Sequence, residues 1–146
     1  MSSLSRRWIA IGAILAAIGV GLGAFGSHVL KDALIHLGYT GDDLTRRLAI
    51  WETAVRYQMF HAIAIVLAGF ALQQRDTVAW RLVPWAFLVG IILFCGILKV
   101  LTFAGPQWNW LGAIVPFGGV SMIVGWVAFA ICALKKQRPD LIGMSS

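Results

Sequence analysis

Apolar residues along this chain gather into four long stretches, over about 8–29, 51–72, 80–103 and 110–134, and nearly every charge falls between them. A helical run of about 20 apolar residues matches the roughly 30 Å hydrocarbon core of a bilayer. Lipid offers a backbone no hydrogen-bond partners, so each stretch is predicted to cross as an α-helix. The predicted fold class is an all-α membrane protein, a four-transmembrane-helix bundle that forms a single membrane domain over residues 1–146.

The segment joining the first two spans also carries a pattern. Leu30, Leu34 and Leu37 continue a helical spacing, and Gly38 offers a stop. Thr40-Gly41-Asp42-Asp43 resembles a capping box. Leu44, Leu48 and Trp51 then follow at i, i+4 and i+7, with Arg46 and Arg47 on the other side. This predicts an amphipathic interfacial helix over about 40–50, between spans one and two, lying on the membrane surface. The other connections are short turns, Gln73-Gln74-Arg75-Asp76 and Ala104-Gly105-Pro106-Gln107. Ser5-Arg6-Arg7-Trp8-Ile9 superficially resembles a twin-arginine signal. The apolar run behind it is longer than the 7–15 residues of a signal-peptide core, so it is expected to be a retained span.

Composition agrees with a membrane setting. Hydrophobic residues make up 60% of the chain and charged residues 12%, against about 25% charged in soluble domains. The net charge of +6 could suggest nucleic acid, but its distribution does not. Arg6 and Arg7, then Arg75, Asp76 and Arg81, then Lys135, Lys136, Arg138 and Asp140 together carry +5. In the first connection Lys31, Arg46, Arg47 and Arg56 balance Asp32, Asp42, Asp43 and Glu52. Lys- and Arg-rich short flanks stay cytoplasmic, so both termini are expected inside. No basic face with interleaved aromatics appears, so no nucleic-acid partner is expected. Trp8, Trp80 and Trp85 fall at the predicted inner interface and Trp51, Trp108 and Trp110 at the outer one, as expected for interfacial tryptophans.

The first span is crowded with small residues. Ala13–Ala17–Gly21 and Gly19–Gly23 are four apart, the spacing at which helix backbones approach closely. Gly19, Gly21, Gly23 and Gly26 there, with Gly118 and Gly119 in the last span, are the predicted helix-packing glycines.

Polar side chains at membrane depth are costly and are functional candidates by default. His28, Glu52, Arg56, Tyr57, Gln58, His61 and Lys99 fall in the outer half of the bilayer. Pro116 lies at the same level and removes a backbone donor next to Gly118-Gly119. Bland roles are open to each: an i,i+4 ion pair for Glu52 and Arg56, interhelical hydrogen bonds for Gln58 and His61, a snorkelling anchor for Lys99. His28, His61 and Cys95 have metal-binding chemistry, but no C-x-x-C or H-x-x-x-H spacing supports a metal. No catalytic residue, metal or cofactor is assigned. Cys95 and Cys132 sit at different depths, so no disulfide is expected.

Three ordered motifs resemble a family. Gly23-Ala24-Phe25-Gly26-Ser27-His28-Val29-Leu30 resembles its G-A-F-G-x-H-x-L signature. Trp51-Glu52-Thr53-Ala54 with Tyr57-Gln58 and His61-Ala62 resembles its W-x-T-A-x-x-Y-Q-x-x-H-A signature. Pro116-Phe117-Gly118-Gly119 with Gly125-Trp126 resembles its last-helix P-x-G-G…G-W pattern. The family is the bacterial domain-of-unknown-function 423 family, related to human transmembrane protein 256. The resemblance implies a small four-helix protein of the bacterial cytoplasmic (inner) membrane and brings no activity. Cys95-Gly96-Ile97-Leu98-Lys99 stands where members often carry a Ser-Gly-Ser-Leu-Tyr-like stretch, so a role resting on those hydroxyls does not carry over.

Three functions are compatible with the residues. The first is a non-enzymatic accessory protein that binds lipid, a second copy of itself or a membrane-protein partner. The second is a small transporter or channel subunit using the outer polar layer. The third is a membrane enzyme with His28, His61, Tyr57 or Glu52 as acid or base.

Overall fold

The computed structural model describes residues 2–135; Lys136, Arg138 and Asp140 of the terminal flank lie outside the described residues. Helix α1 covers Ser3–His28, α2 Leu30–His36, α3 Gly41–Gln74, α4 Val78–Gly90, α5 Ile97–Phe103 and α6 Val115–Leu134. A π-helical turn, Ile91–Gly96, joins α4 to α5 into one span, and a 3₁₀ stretch, Pro106–Ala113, precedes α6. Four helical segments are long and apolar enough to cross a membrane, and no strand occurs among the described residues.

The second span is longer than expected. The 40–50 segment is the opening of the 34-residue α3 rather than a separate surface helix. No proline interrupts residues 41–74, so the helix runs on. The separate short helix is α2, which ends where Gly38 turns the chain at φ +89° and Gly41 follows at φ +57°. Glycine reaches that left-handed region without steric cost.

Helix α3 is the centre of the bundle. Arg47, Trp51, Ala54, Gln58, His61, Ile65, Ala68 and Leu72 are all buried, and they alternate four and three apart. That is a heptad stripe, the pattern that keeps one helix face against its neighbours. Helix α3 packs against α1, α4, α5 and the π turn.

The α1–α3 seam is made by missing side chains. A Cβ on Gly12 would stand 2.7 Å from the Ala62 carbonyl oxygen, one on Gly19 2.5 Å from the Met59 sulfur, and one on Gly26 2.7 Å from the Trp51 indole. These three glycines are seven apart, not four. Gly23 meets Val55 at ordinary contact distance, whereas Gly21 has nothing within 4 Å. The expected stripe Ala13–Ala17–Gly21 faces outward, all three residues being exposed. Gly69 of α3 completes the seam from the other side, against Ile9 and the Ser5 carbonyl oxygen, and the Ser5 hydroxyl donates to the Gly69 carbonyl at 2.7 Å.

The α6 seam is tighter. A Cβ on Gly118 would stand 2.4 Å from the Phe94 backbone nitrogen, inside the π turn. Gly125 receives the ring of Phe87, and Gly90 the side chain of Met122. Pro116 does not weaken a span from within, as its position in the predicted fourth span suggested. It stands in the first turn of α6, where the backbone N–H has no intrahelical partner to lose.

Of the six tryptophans expected at the interfaces, Trp8, Trp51 and Trp80 are buried against the protein, while Trp85, Trp108 and Trp110 are exposed. Trp8 and Trp85 meet edge to face at 4.9 Å near the N-terminal end of α1.

Candidate functional site

The buried stripe of α3 carries three polar side chains, each hydrogen-bonded to other helices. Arg47 is the first. Its Nη1 donates to the carbonyls of Leu101, Thr102 and Ala104 at 3.2, 2.8 and 3.1 Å. Its Nε donates to Asp43 at 3.0 Å, and its guanidinium lies 3.5 Å over the Tyr39 ring. The Tyr39 hydroxyl donates to the remaining carbonyl, that of Phe103, at 3.3 Å. The last carbonyls of a helix lack intrahelical partners and carry partial negative charge. Arg47 and Tyr39 therefore cap α5. The sequence reading put Arg47 on the solvent side; the signal that places it inside is the heptad traced back from Leu72.

Gln58 is the second. Its Nε2 donates to the Leu15 carbonyl of α1 at 2.8 Å, and its Oε1 accepts a hydrogen bond from the Lys99 ammonium of α5. One amide thus ties three helices. Lys99 is half-buried, and among the described residues no carboxylate lies within salt-bridge reach of it.

His61 is the third. Trp126 of α6 donates its indole N–H to His61 Nε2 at 3.2 Å, and His61 Nδ1 lies 2.7 Å from the Tyr57 carbonyl. Indole is donor-only and a carbonyl acceptor-only, which assigns the proton to Nδ1 and makes the ring neutral. Both ring nitrogens are occupied, so the imidazole as it stands offers no free lone pair for base chemistry.

The remaining candidates sit apart from that stripe. Glu52 and Arg56 form an i,i+4 ion pair and both are exposed. Tyr57 is exposed, stacked beside His61 and packed on Phe94. His28 is exposed at the end of α1, and Pro116 opens α6. Cys95 is fully buried. No group of three His, Cys, Asp or Glu residues is placed to hold a metal ion among the described residues.

A groove of about 790 Å³ opens between α3 and α6. Tyr57, Phe60, His61, Ile63, Leu67, Phe94, Ile123 and Trp126 line it, and Arg56 stands at one end. The His61–Trp126 bond bridges its two helix walls.

A family model described as a protein of unknown function, DUF423, matches residues 22–119. The chain belongs to the DUF423 family. It is 35% identical over 131 residues to UPF0382 membrane protein YwdK of Bacillus subtilis, which covers 89% of this chain and 98% of that protein. A UPF0382 membrane protein of Staphylococcus epidermidis is 35% identical over 130 residues, 89% of this chain and 97% of its own. No solved structure matches. The DUF423 match takes in all of α2 and α3, the π turn and the glycine pair that opens α6. Relatives described as membrane proteins, together with four apolar helices, make this chain a multi-pass membrane protein.

Proposed function

We propose that this DUF423 protein is a non-catalytic accessory protein of the bacterial cytoplasmic membrane, and that it holds a lipid chain in the α3–α6 groove. The observation that carries the reading is the shape and depth of that groove. It runs from Arg56 to Leu67 along α3, about 16 Å at 1.5 Å per residue. That is about half of a 30 Å hydrocarbon core, the depth of one leaflet. The walls are aromatic and aliphatic, and the cation at the mouth suits a lipid phosphate. The buried polar groups support a non-catalytic role, because Arg47, Gln58 and His61 are engaged in joining helices. Basic flanks on the terminal side argue that both termini face the cytoplasm and the α2 end faces outward.

The test fills the groove. A Cβ on Gly119 would touch only the Phe94 ring, at 3.8–3.9 Å, so Gly119→Leu projects into the groove without striking backbone. Photo-crosslinkable acyl chains in native membranes should label residues around Phe60 and Ile123 in the original protein and lose that labelling in Gly119→Leu. Equal labelling of both would refute the lipid groove.

A second reading rests on α1. Its outward stripe Ala13–Ala17–Gly21 has the spacing of a close helix contact, and a second copy of this chain is the proposed occupant. Ala17→Cys should form a disulfide dimer on mild oxidation of membranes, whereas Ile18→Cys, exposed but about 100° round the helix from Ala17, should not. Equal crosslinking at both sites, or none, would remove it.

A further inference from the structure

A second concavity opens at the α2 end of the bundle, between α1, α2 and α3. It has a volume of about 570 Å³, within the range of small-ligand sites. We propose that it binds a phosphate ester, a phosphate group carried on a small glycerol-like body. The site faces α1 and α2 rather than α6; it shares Arg56 with the lipid-chain groove, whereas Lys31 and Gly23 belong to this cavity alone.

Three features fit that ligand. The floor exists because Gly23 and Gly26 bring no side chains to it, and Leu30, Leu48, Val55 and Trp51 give it apolar walls. The rim carries Lys31, Arg56 and Glu52, a net charge of +1 that an anionic ester complements. The donors are available. Arg56 spends one guanidinium nitrogen on Glu52 and keeps the rest of its fork, and that planar fork suits phosphate oxygens. Lys31 is exposed and adds a second, mobile cation. The Ser27 hydroxyl is engaged with the Gly23 carbonyl at 3.1 Å, so it presents lone pairs rather than its proton to the cavity. Trp51 and Glu52 open the apolar stretch of the second span, which sets the rim where a bilayer carries its phosphates.

The same chemistry reaches the site from two sources, a phospholipid headgroup or a water-soluble phosphate ester. The experiment separates them with the full chain in nanodiscs. Native mass spectrometry from phosphatidylcholine discs doped with phosphatidylglycerol reads lipid retention. Thermal unfolding with added sn-glycerol 3-phosphate in undoped discs reads the soluble ester. Two variants disable the pocket without striking backbone. Lys31→Gln removes an exposed charge, and Gly23→Leu fills the cavity from a position where a Cβ meets only Val55, at 3.7 Å. Retained phosphatidylglycerol that falls about tenfold in both variants, the worth of one charge-assisted hydrogen bond, and stays unchanged in Gly119→Leu establishes a headgroup site. A melting shift with the soluble ester that both variants abolish establishes a free ester. Retention and melting that ignore both variants overturn the proposal.

Discussion

The bundle has two glycine seams, and they are built differently. Along α1–α3, two uninterrupted helices meet with Gly12, Gly19 and Gly26 at seven-residue intervals. That repeat is the signature of a long, shallow crossing in which the same face returns every two turns. Against α6, the partner is the irregular span, which carries Pro84 and then the π turn Ile91–Gly96. There Gly118 packs on the Phe94 backbone nitrogen and Cβ, and Tyr57 lies on the Phe94 ring, beside His61 and its partner Trp126. Each seam has a concavity beside it, the first between α1, α2 and α3 and the second between α3 and α6. π turns recur at functional sites, which is a further reason to place the proposed lipid chain on the α6 side.

The sharpest way to break this comparison is to add methyl groups one at a time. Gly118→Ala forces a carbon against the Phe94 nitrogen at 2.4 Å, and backbone yields least. Overpacking of this kind costs about 1–3 kcal/mol, occasionally more, and Gly118→Ala should sit at the top of that range. Gly12→Ala, against the Ala62 carbonyl, should follow. Gly19→Ala meets a flexible methionine, which can move, and should cost less. Gly21→Ala has open space and should stabilise by up to about 1 kcal/mol through helix propensity. Unfolding in mixed detergent micelles would rank the four; a Gly21→Ala loss matching that of Gly118→Ala would show that the contacts do not set the order.

Arg47 gives the next effect. Removing it leaves three carbonyls of the α5 end without their donor. Hydrogen bonds to charged groups are worth about 1.5–3 kcal/mol, and Arg47→Met should lose about that much stability. Arg47→Lys should rescue only part, because a single ammonium cannot reproduce the fork. Full rescue by lysine would mean that charge alone holds α5.

Smaller still is the bridge across the groove. His61→Phe keeps the ring and removes the acceptor for Trp126. Interhelical hydrogen bonds in membranes average about 0.6 kcal/mol, so stability should fall by about that. Trp126 fluorescence should also change, because its indole loses a partner. Unchanged emission would contradict the bond.

Much of this was legible in the sequence. The four spans, the stop at Gly38, the Glu52–Arg56 pair and the interhelical roles of Gln58 and His61 follow from hydropathy and helical spacing. What escaped did so for physical reasons. Arg47 reads as a surface cation because charge normally seeks water; only the heptad through Leu72, Ile65 and Gln58 shows that it points inward. The small-residue stripe was placed on the wrong face because alanine and glycine fill four-residue and seven-residue rows of α1 equally well, and only the partner helix selects between them. Pro116 looked disruptive because hydropathy does not distinguish a 3₁₀ lead-in from the helix that follows it. Nor does hydropathy show which tryptophans pack on a neighbouring helix: the Trp51 indole donates to the Leu22 carbonyl at 3.1 Å.

The smallest expected effect lies at the turn between α3 and α4, and it is a pH effect. Arg81 holds both oxygens of Asp76 at 2.6 and 2.9 Å. The hydrogen bonds from Arg81 hold the Asp76 carboxyl below its ordinary value. A carboxylate whose folded value is depressed contributes stability above its unfolded value near 3.9 and loses it as pH falls through the folded one. The turn should therefore be unaffected from neutral pH down to about 5 and loosen below about 4. The pair is exposed to water, so the loss should be small, as for other surface ion pairs. Asp76→Asn should remove the acid-dependent part of that loosening and leave both glycine seams intact. Hydrogen exchange at Thr77 and Val78, followed between pH 6 and 3 and corrected for the intrinsic rate, reads it directly. Exchange that accelerates equally in Asp76→Asn would assign the acid response to another group.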